Sequence, residues 1–239
     1  MIGENQFYLD GRSCMDFGVV CSGSGTYGAP ERDTEAVEIP GLDGAVLLDN
    51  GRYKNIEVSY PCFICRDFKS NMMAFRAWLL SHKGYRRLED TYDRDHFRLA
   101  YATGGVDVET SPLNRGGNFN IAFDCKPQRW LKAGEENLAL VSGQPLMNPT
   151  LFEALPLITI RGTGAGALDV GGTVVTINSM PDGVLILDCE EQNAYGPDGA
   201  NRNNTISAPE FPVLPAGETP ISWSGGIGAV EIVPRWWTL

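Results

Sequence analysis

Only one stretch of this 239-residue chain repeats its apolar residues at helical spacing. Phe68, Met72, Phe75 and Leu79 recur at intervals of four, three and four, with Trp78 beside them. That is one apolar face of a helix over Phe68–His82, about four turns long. Asp67 stands where an N-cap belongs and Gly84 where a helix stops. The bulky face predicts burial against a sheet, so Phe75→Asp is expected to cost several kcal/mol, roughly 3–5 for the lost ring plus a charge penalty. Elsewhere Gly, Pro and Asp cut the chain into short pieces, which restricts it to a mainly β fold.

In the first half, Gln6–Asp10 reads as a strand ending at the turn pair Asp10–Gly11. Val37–Pro40 leads into a tight Gly41–Gly44 corner, followed by Val46–Leu48. Ile56, Val58 and Tyr60 share one strand face. Tyr85–Leu88, Phe97–Thr103 and Gly117–Cys125 also read as strands, with Arg94–His96 as a turn. Phe119, Ile121, Phe123 and Cys125 alternate cleanly up to Pro127.

The second half offers no helix. Leu155–Arg161, Gly166–Val170, Thr173–Ile177, Gly183–Asp188, Thr205–Ser207, Ile221–Trp223 and Ala229–Pro234 read as separate strands. Between them stand Gly162–Gly164, Gly171–Gly172, Pro181–Gly183 and the polar stretch Glu190–Asn204, the pattern of a β-sandwich. Charge divides the chain at the same place. Residues 1–133 carry 16 basic and 18 acidic side chains (net -2), and residues 134–239 carry 3 and 12 (net -9). Two domains are therefore expected, 1–133 and 134–239, with the last strand free to stay in the second or return to the first.

The net charge of -11 argues against tight nucleic-acid binding, which needs phosphate neutralisation, and against anionic membrane surfaces. No apolar run is long enough to insert in a membrane. Met1–Asp10 lacks a basic segment followed by an apolar core, so no signal peptide is expected and the six cysteines are expected to stay thiols in a reducing cytosol.

Candidate chemistry is sparse. Cys62 and Cys65 form a C-x-x-C that could be half a zinc site or a redox pair, but no second pair completes it, and structural thiols are expected. The two histidines, His82 and His96, supply too little for a catalytic triad or a His-rich metal centre. Glu89, Asp90, Asp93 and Asp95 read as a solvated loop partly paired by Arg94. The glycine stretches Gly23–Gly25 and Gly162–Gly166 match no phosphate-binding motif and read as turns. No catalytic residue, cofactor or metal is expected. Near the end, Trp236 and Trp237 follow Arg235. Neighbouring strand residues face opposite ways, so one tryptophan is expected in a core and the other at a neighbour subunit or a sugar.

Taken in order, several pieces resemble the distal tail (Dit-like) protein family at the tip of siphophage tails, including those of prophages in Gram-positive bacteria. They are Phe7–Gly11 continuing to Asp16–Val19, Ile39–Gly44, Ala77–Leu79, Leu88–Asp90 and Phe119–Pro127. The second half adds Asn148–Thr150, Ala154–Pro156, Gly162–Gly166, Ile186–Asp188, Phe211–Gly217 and Pro234–Trp237. The resemblance implies an N-terminal β-rich ring-forming domain with one helix and a C-terminal galectin-like β-sandwich. It implies a non-enzymatic virion protein at the tail tip, assembled in the host cytoplasm as a hexameric ring. Its implied partners are the major tail tube protein, the tail-associated baseplate hub protein and a receptor-binding or side-fibre protein. Candidate interface residues are Phe68, Met72, Phe75 and Trp78 on the helix, Pro40, Gly41 and Gly44 at the corner, Arg94, and Arg235, Trp236 and Trp237 at the end. The alternatives are a host-surface carbohydrate-binding module, which would need exposed aromatics, and a ring connector nearer the head. A cell-wall hydrolase is the remotest.

Overall fold

The computed structural model describes residues 5–23 and 27–239. Among the described residues the backbone is mostly strand with a single α-helix, and the chain divides into two compact units, Met1–Arg129 and Trp130–Thr238. Gly23–Gly25, read from sequence as a turn, lies mostly outside the described residues.

The first unit contains β1 (Phe7–Leu9), β2 (Arg12–Ser13), β3 (Val19–Cys21), β4 (Arg32–Glu38), β5 (Ala45–Tyr53), β6 (Ile56–Ile64), α1 (Phe68–Ser81), β7 (Arg86–Asp90), β8 (His96–Ala102), β9 (Val108–Thr110) and β10 (Gly117–Cys125). Its main sheet runs β2-β1-β7-β8-β10-β6-β3, with β9 also on β10. The β1–β2 turn is built by Asp10 and Gly11, both at positive φ (49° and 78°), between Leu9 and its partner Arg12. This is the two-residue turn whose twist suits paired strands. β6 and β10 pair along their whole length, Ile56 with Cys125 through Ile64 with Gly117. Every second residue faces inward, so Val58, Tyr60, Cys62 and Ile64 meet Phe119, Ile121, Phe123 and Cys125 in one core.

α1 covers that core. Met72, Phe75, Trp78 and Leu79 are buried, and Phe75 packs among Phe7, Phe17, Trp78 and Phe119 at ring-centroid distances of 5.7–6.4 Å. The helix ends differ from the sequence reading. Asp67 has a left-handed backbone (φ 45°) and makes no side-chain capping bond. Its carbonyl instead accepts the Asn71 N–H and the Ser70 hydroxyl, both at 3.0 Å. At the other end His82, in extended backbone, donates from Nδ1 to the Trp78 carbonyl at 2.7 Å, and Gly84 turns the chain two residues later at φ 69°.

The second unit contains β11 (Arg129–Leu131), β12 (Leu138–Ala139), β13 (Pro145–Asn148), β14 (Leu157–Val170), β15 (Thr173–Ile177), β16 (Val184–Asp188), β17 (Asn193–Tyr195), β18 (Ile206–Ser207), β19 (Gly217–Val233) and β20 (Trp237–Thr238). β12 to β19 form one sheet in the order β12-β19-β14-β15-β18, with β13 on β19, β16 on β14 and β17 on β16, while β11 and β20 pair with each other. β14 and β15 meet at Gly171–Gly172, both at positive φ, with Val170 opposite Thr173.

The largest departure from the sequence reading is here. Leu155–Arg161 and Gly166–Val170 are parts of one strand, as are Ile221–Trp223 and Ala229–Pro234. The glycines between them form bulges where β14 and β19 cross, with register shifts after Arg161 and Gly162. A Cβ on Gly162 would lie 2.1 Å from the Gly226 carbonyl oxygen, and one on Gly226 would lie 1.9 Å from that of Thr163. Only glycine lets the two backbones approach so closely. The bulge splits β14 into two halves with different partners. Residues 157–161 pair with β16 and residues 166–170 with β15. One long ribbon thereby serves two parts of a curved sheet around Ile158, Ile160, Leu168, Val170, Val175 and Ile177.

Candidate interaction surface

β4 and β5 form a two-stranded sheet of their own. Val37 lies opposite Val46, Ala36 opposite Leu47 and Glu35 opposite Leu48, so apolar side chains occupy both faces. Val37, Ile39, Leu42, Val46, Leu47 and Leu48 are all exposed, Leu47 at 65%. Strands of seven and nine residues make an arm about 25 Å long. Pro40, Gly41 and Gly44 turn its tip, with Gly41 at φ 88° and Gly44 at φ 80°.

The base of the arm is held by charge. Arg32 Nη1 donates to Asp49 at 2.8 Å and Nη2 to the Tyr53 hydroxyl at 2.9 Å, while Arg52 Nε donates to Asp33 at 2.7 Å. The Gly51 N–H and the Arg32 guanidinium hold the Asp49 carboxyl below the usual range, and Arg52 does the same for Asp33. An isolated hairpin is marginal in water, and apolar residues on both faces gain nothing from solvent.

A second surface lies at the start of α1. Phe68 is half-buried at the core margin and lines an open hollow with Cys65, Lys69, Met73 and Arg115. Met73 is 65% exposed. The other helix candidates are different. Met72, Phe75 and Trp78 are buried in the core of their own unit. Arg94 sits exposed in the turn before β8.

At the chain end, Trp236 is buried and Trp237 half-buried. Trp237 stacks on Phe152 at 4.5 Å and donates from Nε1 to the Glu153 carbonyl at 2.9 Å. Its ring is occupied inside its own unit, which argues against a free sugar platform. Arg235, at φ 57°, makes a two-pronged bond to Asp188, with Glu190 at 3.4 Å. It clamps the chain end to Asp188 within its own unit.

The remaining chemical candidates are also absorbed locally. Cys62 points into the core, with the Cys21 Sγ 3.8 Å away, whereas Cys65 is exposed, so the C-x-x-C thiols do not converge. Burial pushes the Cys125 and Cys189 thiols up to about 12, which keeps them protonated and inert. The acidic loop is less solvated than its sequence suggests. Asp90 accepts the Tyr60 hydroxyl at 2.6 Å and the N–H groups of Tyr92 and Asp93 at 2.9 Å. No group of three or more metal-ligating side chains occurs among the described residues, and no described helix is long and apolar enough to cross a membrane.

The chain shares its fold, over nearly its whole length, with solved phage tail-tip proteins. The crystal structure of the Dit protein of phage SPP1, described as a paradigm of the hub adsorption apparatus in phages infecting Gram-positive bacteria, matches 99% of this chain and 100% of its own, with a TM-score of 0.75 at 11% identity. A chain of the phage p2 baseplate in its activated conformation matches 96% of this chain and 97% of its own, with a TM-score of 0.50 at 12% identity. No family model and no curated protein matches the sequence. At these identities the likeness establishes the fold.

Proposed function

We propose that this chain is a structural distal tail component, a baseplate hub protein of a long-tailed phage or prophage. The observation that carries the reading is the end-to-end agreement with the SPP1 Dit fold, including both units. Six copies would close into a ring at the tail tip. A closed ring needs two different surfaces on each protomer, and the β4–β5 arm supplies one that its own chain leaves exposed. One face of the ring would meet the major tail tube protein and the other the tail-associated baseplate hub protein. A receptor-binding or side-fibre protein would dock on the rim. The net charge of -11 suits a channel that passes DNA without holding it. Assembly would take place in the bacterial cytoplasm, and the protein performs no chemistry.

Immunogold labelling of particles released from the host tests the location. Label at the distal tail end is expected. Label at the head-proximal end would replace this reading with a connector, and absence of label from tails would reject it. A glycan-binding module remains the rival for the second unit, and the engagement of Trp237 by Phe152 counts against it.

A further inference from the structure

Cys21 on β3 and Cys62 on β6 stand directly opposite each other across the two strands. The Ser22 N–H donates to the Pro61 carbonyl at 2.7 Å, and the Cys21 N–H turns away to the Asn5 carbonyl at 3.0 Å. This pattern makes Cys21 and Cys62 a non-hydrogen-bonded pair, the kind whose Cα atoms lie about 4.5 Å apart and whose side chains come closest. A separation of that size is within the span of a disulfide, about 4.4–6.8 Å between Cα atoms. Both side chains point to the same face, into the first core, and are 3% and 2% exposed. Their Sγ atoms are 3.8 Å apart. Bonding them takes side-chain rotation and no change of register. Cys14 also touches Cys21, but it sits in the single 3-10 turn Cys14–Phe17 and not on a facing strand.

The place of the pair in the chain gives it a consequence. β4 and β5, the whole exposed arm, lie between Cys21 and Cys62. A bond would close a loop of 41 positions at the root of the arm. β3 is three residues long and ends the strand order of its sheet, so it is a short edge strand of the kind that opens locally. While it is closed, the Cys21 thiol stays protonated. Contact with Cys14 lowers its pKa, but contact with Cys62 and burial raise it more. Reaction therefore follows opening of β3.

We propose that Cys21 and Cys62 form a reversible disulfide site, two thiols in a reducing medium and a staple at the root of the arm when a small-molecule disulfide is present. Once β3 opens, the thiolate of one cysteine attacks a sulfur of the small disulfide and expels one small thiolate. The thiolate of the other cysteine then attacks the protein sulfur of the mixed disulfide and expels the second. The protein pair is oxidised and gives up both protons, and the small disulfide is reduced to its thiols. The inference is independent of the tail assignment.

Refolding of the full chain tests it. The denatured, reduced protein is refolded in glutathione buffer with excess oxidised glutathione, alkylated, digested and mapped by mass spectrometry. A peptide carrying Cys21 should be joined to one carrying Cys62, and dithiothreitol should separate them. In urea, the unfolding equilibrium constant of the linked protein should be lower than that of the reduced protein by roughly several hundredfold, the chain-entropy effect of a loop this long. Cys62→Ala should show neither the link nor the stabilisation. Recovery of Cys21 and Cys62 as free or glutathione-capped thiols overturns the proposal, as does a bond from Cys21 to Cys14 or a linked form less stable than the reduced one. Should Cys62→Ala fail to fold, the wild-type linkage map decides alone.

Discussion

Arg235 grips Asp188 with both arms of its guanidinium, Nη1 to Oδ1 at 2.7 Å and Nη2 to Oδ2 at 2.9 Å. The clamp joins the chain end to β16. It is set by the left-handed backbone of Arg235, whose N–H donates to the Gly134 carbonyl at 2.8 Å. Arg235→Ala would leave a largely buried carboxylate without its cation. Because the Arg235 side chain is itself 23% exposed, the expected loss is about 2–3 kcal/mol, below the roughly 3–5 of a fully buried pair. Urea denaturation of the full chain measures it.

The same pair makes stability depend on acid. The Arg235 guanidinium, then the Glu191 and Glu190 N–H groups, hold the Asp188 carboxyl below its usual range despite partial burial. A depressed folded pKa means the stabilisation is complete above the unfolded value, about 3.9, and disappears as pH falls through the folded value. Wild type should therefore lose its advantage over Asp188→Asn below about pH 4 and keep it at neutral pH. Thermal melts of both proteins across that range check the sign.

Gly226 tests the bulge. Alanine there would meet the Thr163 backbone at 1.9 Å, so the β14–β19 ribbon would have to shift. We expect about 2–3 kcal/mol of destabilisation, in the range of overpacked sites. Gly104→Ala, with ordinary φ and nothing within 4 Å, should be neutral and serves as the control.

Phe75→Ala should cost about 3–5 kcal/mol, because the ring is fully buried among four aromatic neighbours. Chemical denaturation gives the value. A loss under 1 kcal/mol would show that α1 is not a keystone of the first core.

Local signals were readable in the sequence. The four-three-four spacing marked α1 to within a residue of its observed end, and Asp10–Gly11 and Gly171–Gly172 marked two hairpins. Alternation marked β10 at both ends. Long-range facts were not readable. Gly162–Gly166 looks like a loop unless one knows that Gly225 and Gly226, some sixty residues on, press against it. The capping role given to Asp67 failed because its backbone is left-handed. The arm left a faint trace. Val46, Leu47 and Leu48 are consecutive and apolar, so the strand has no polar face, but sequence does not reveal whether a covering layer exists. Met72, Phe75 and Trp78 were candidates for contact with neighbours, yet large apolar residues on a single helical stripe belong first to the core.

The central claim is that protomers assemble through the exposed arm. The most direct measurement is absolute mass by light scattering over a range of concentrations, for wild type and for Leu47→Asp/Leu48→Asp. Wild type should approach six times 26.0 kDa and show rings in negative stain, while the double variant should be a folded monomer with unchanged melting. A wild type that stays monomeric throughout, or a variant that keeps the full mass, would contradict it.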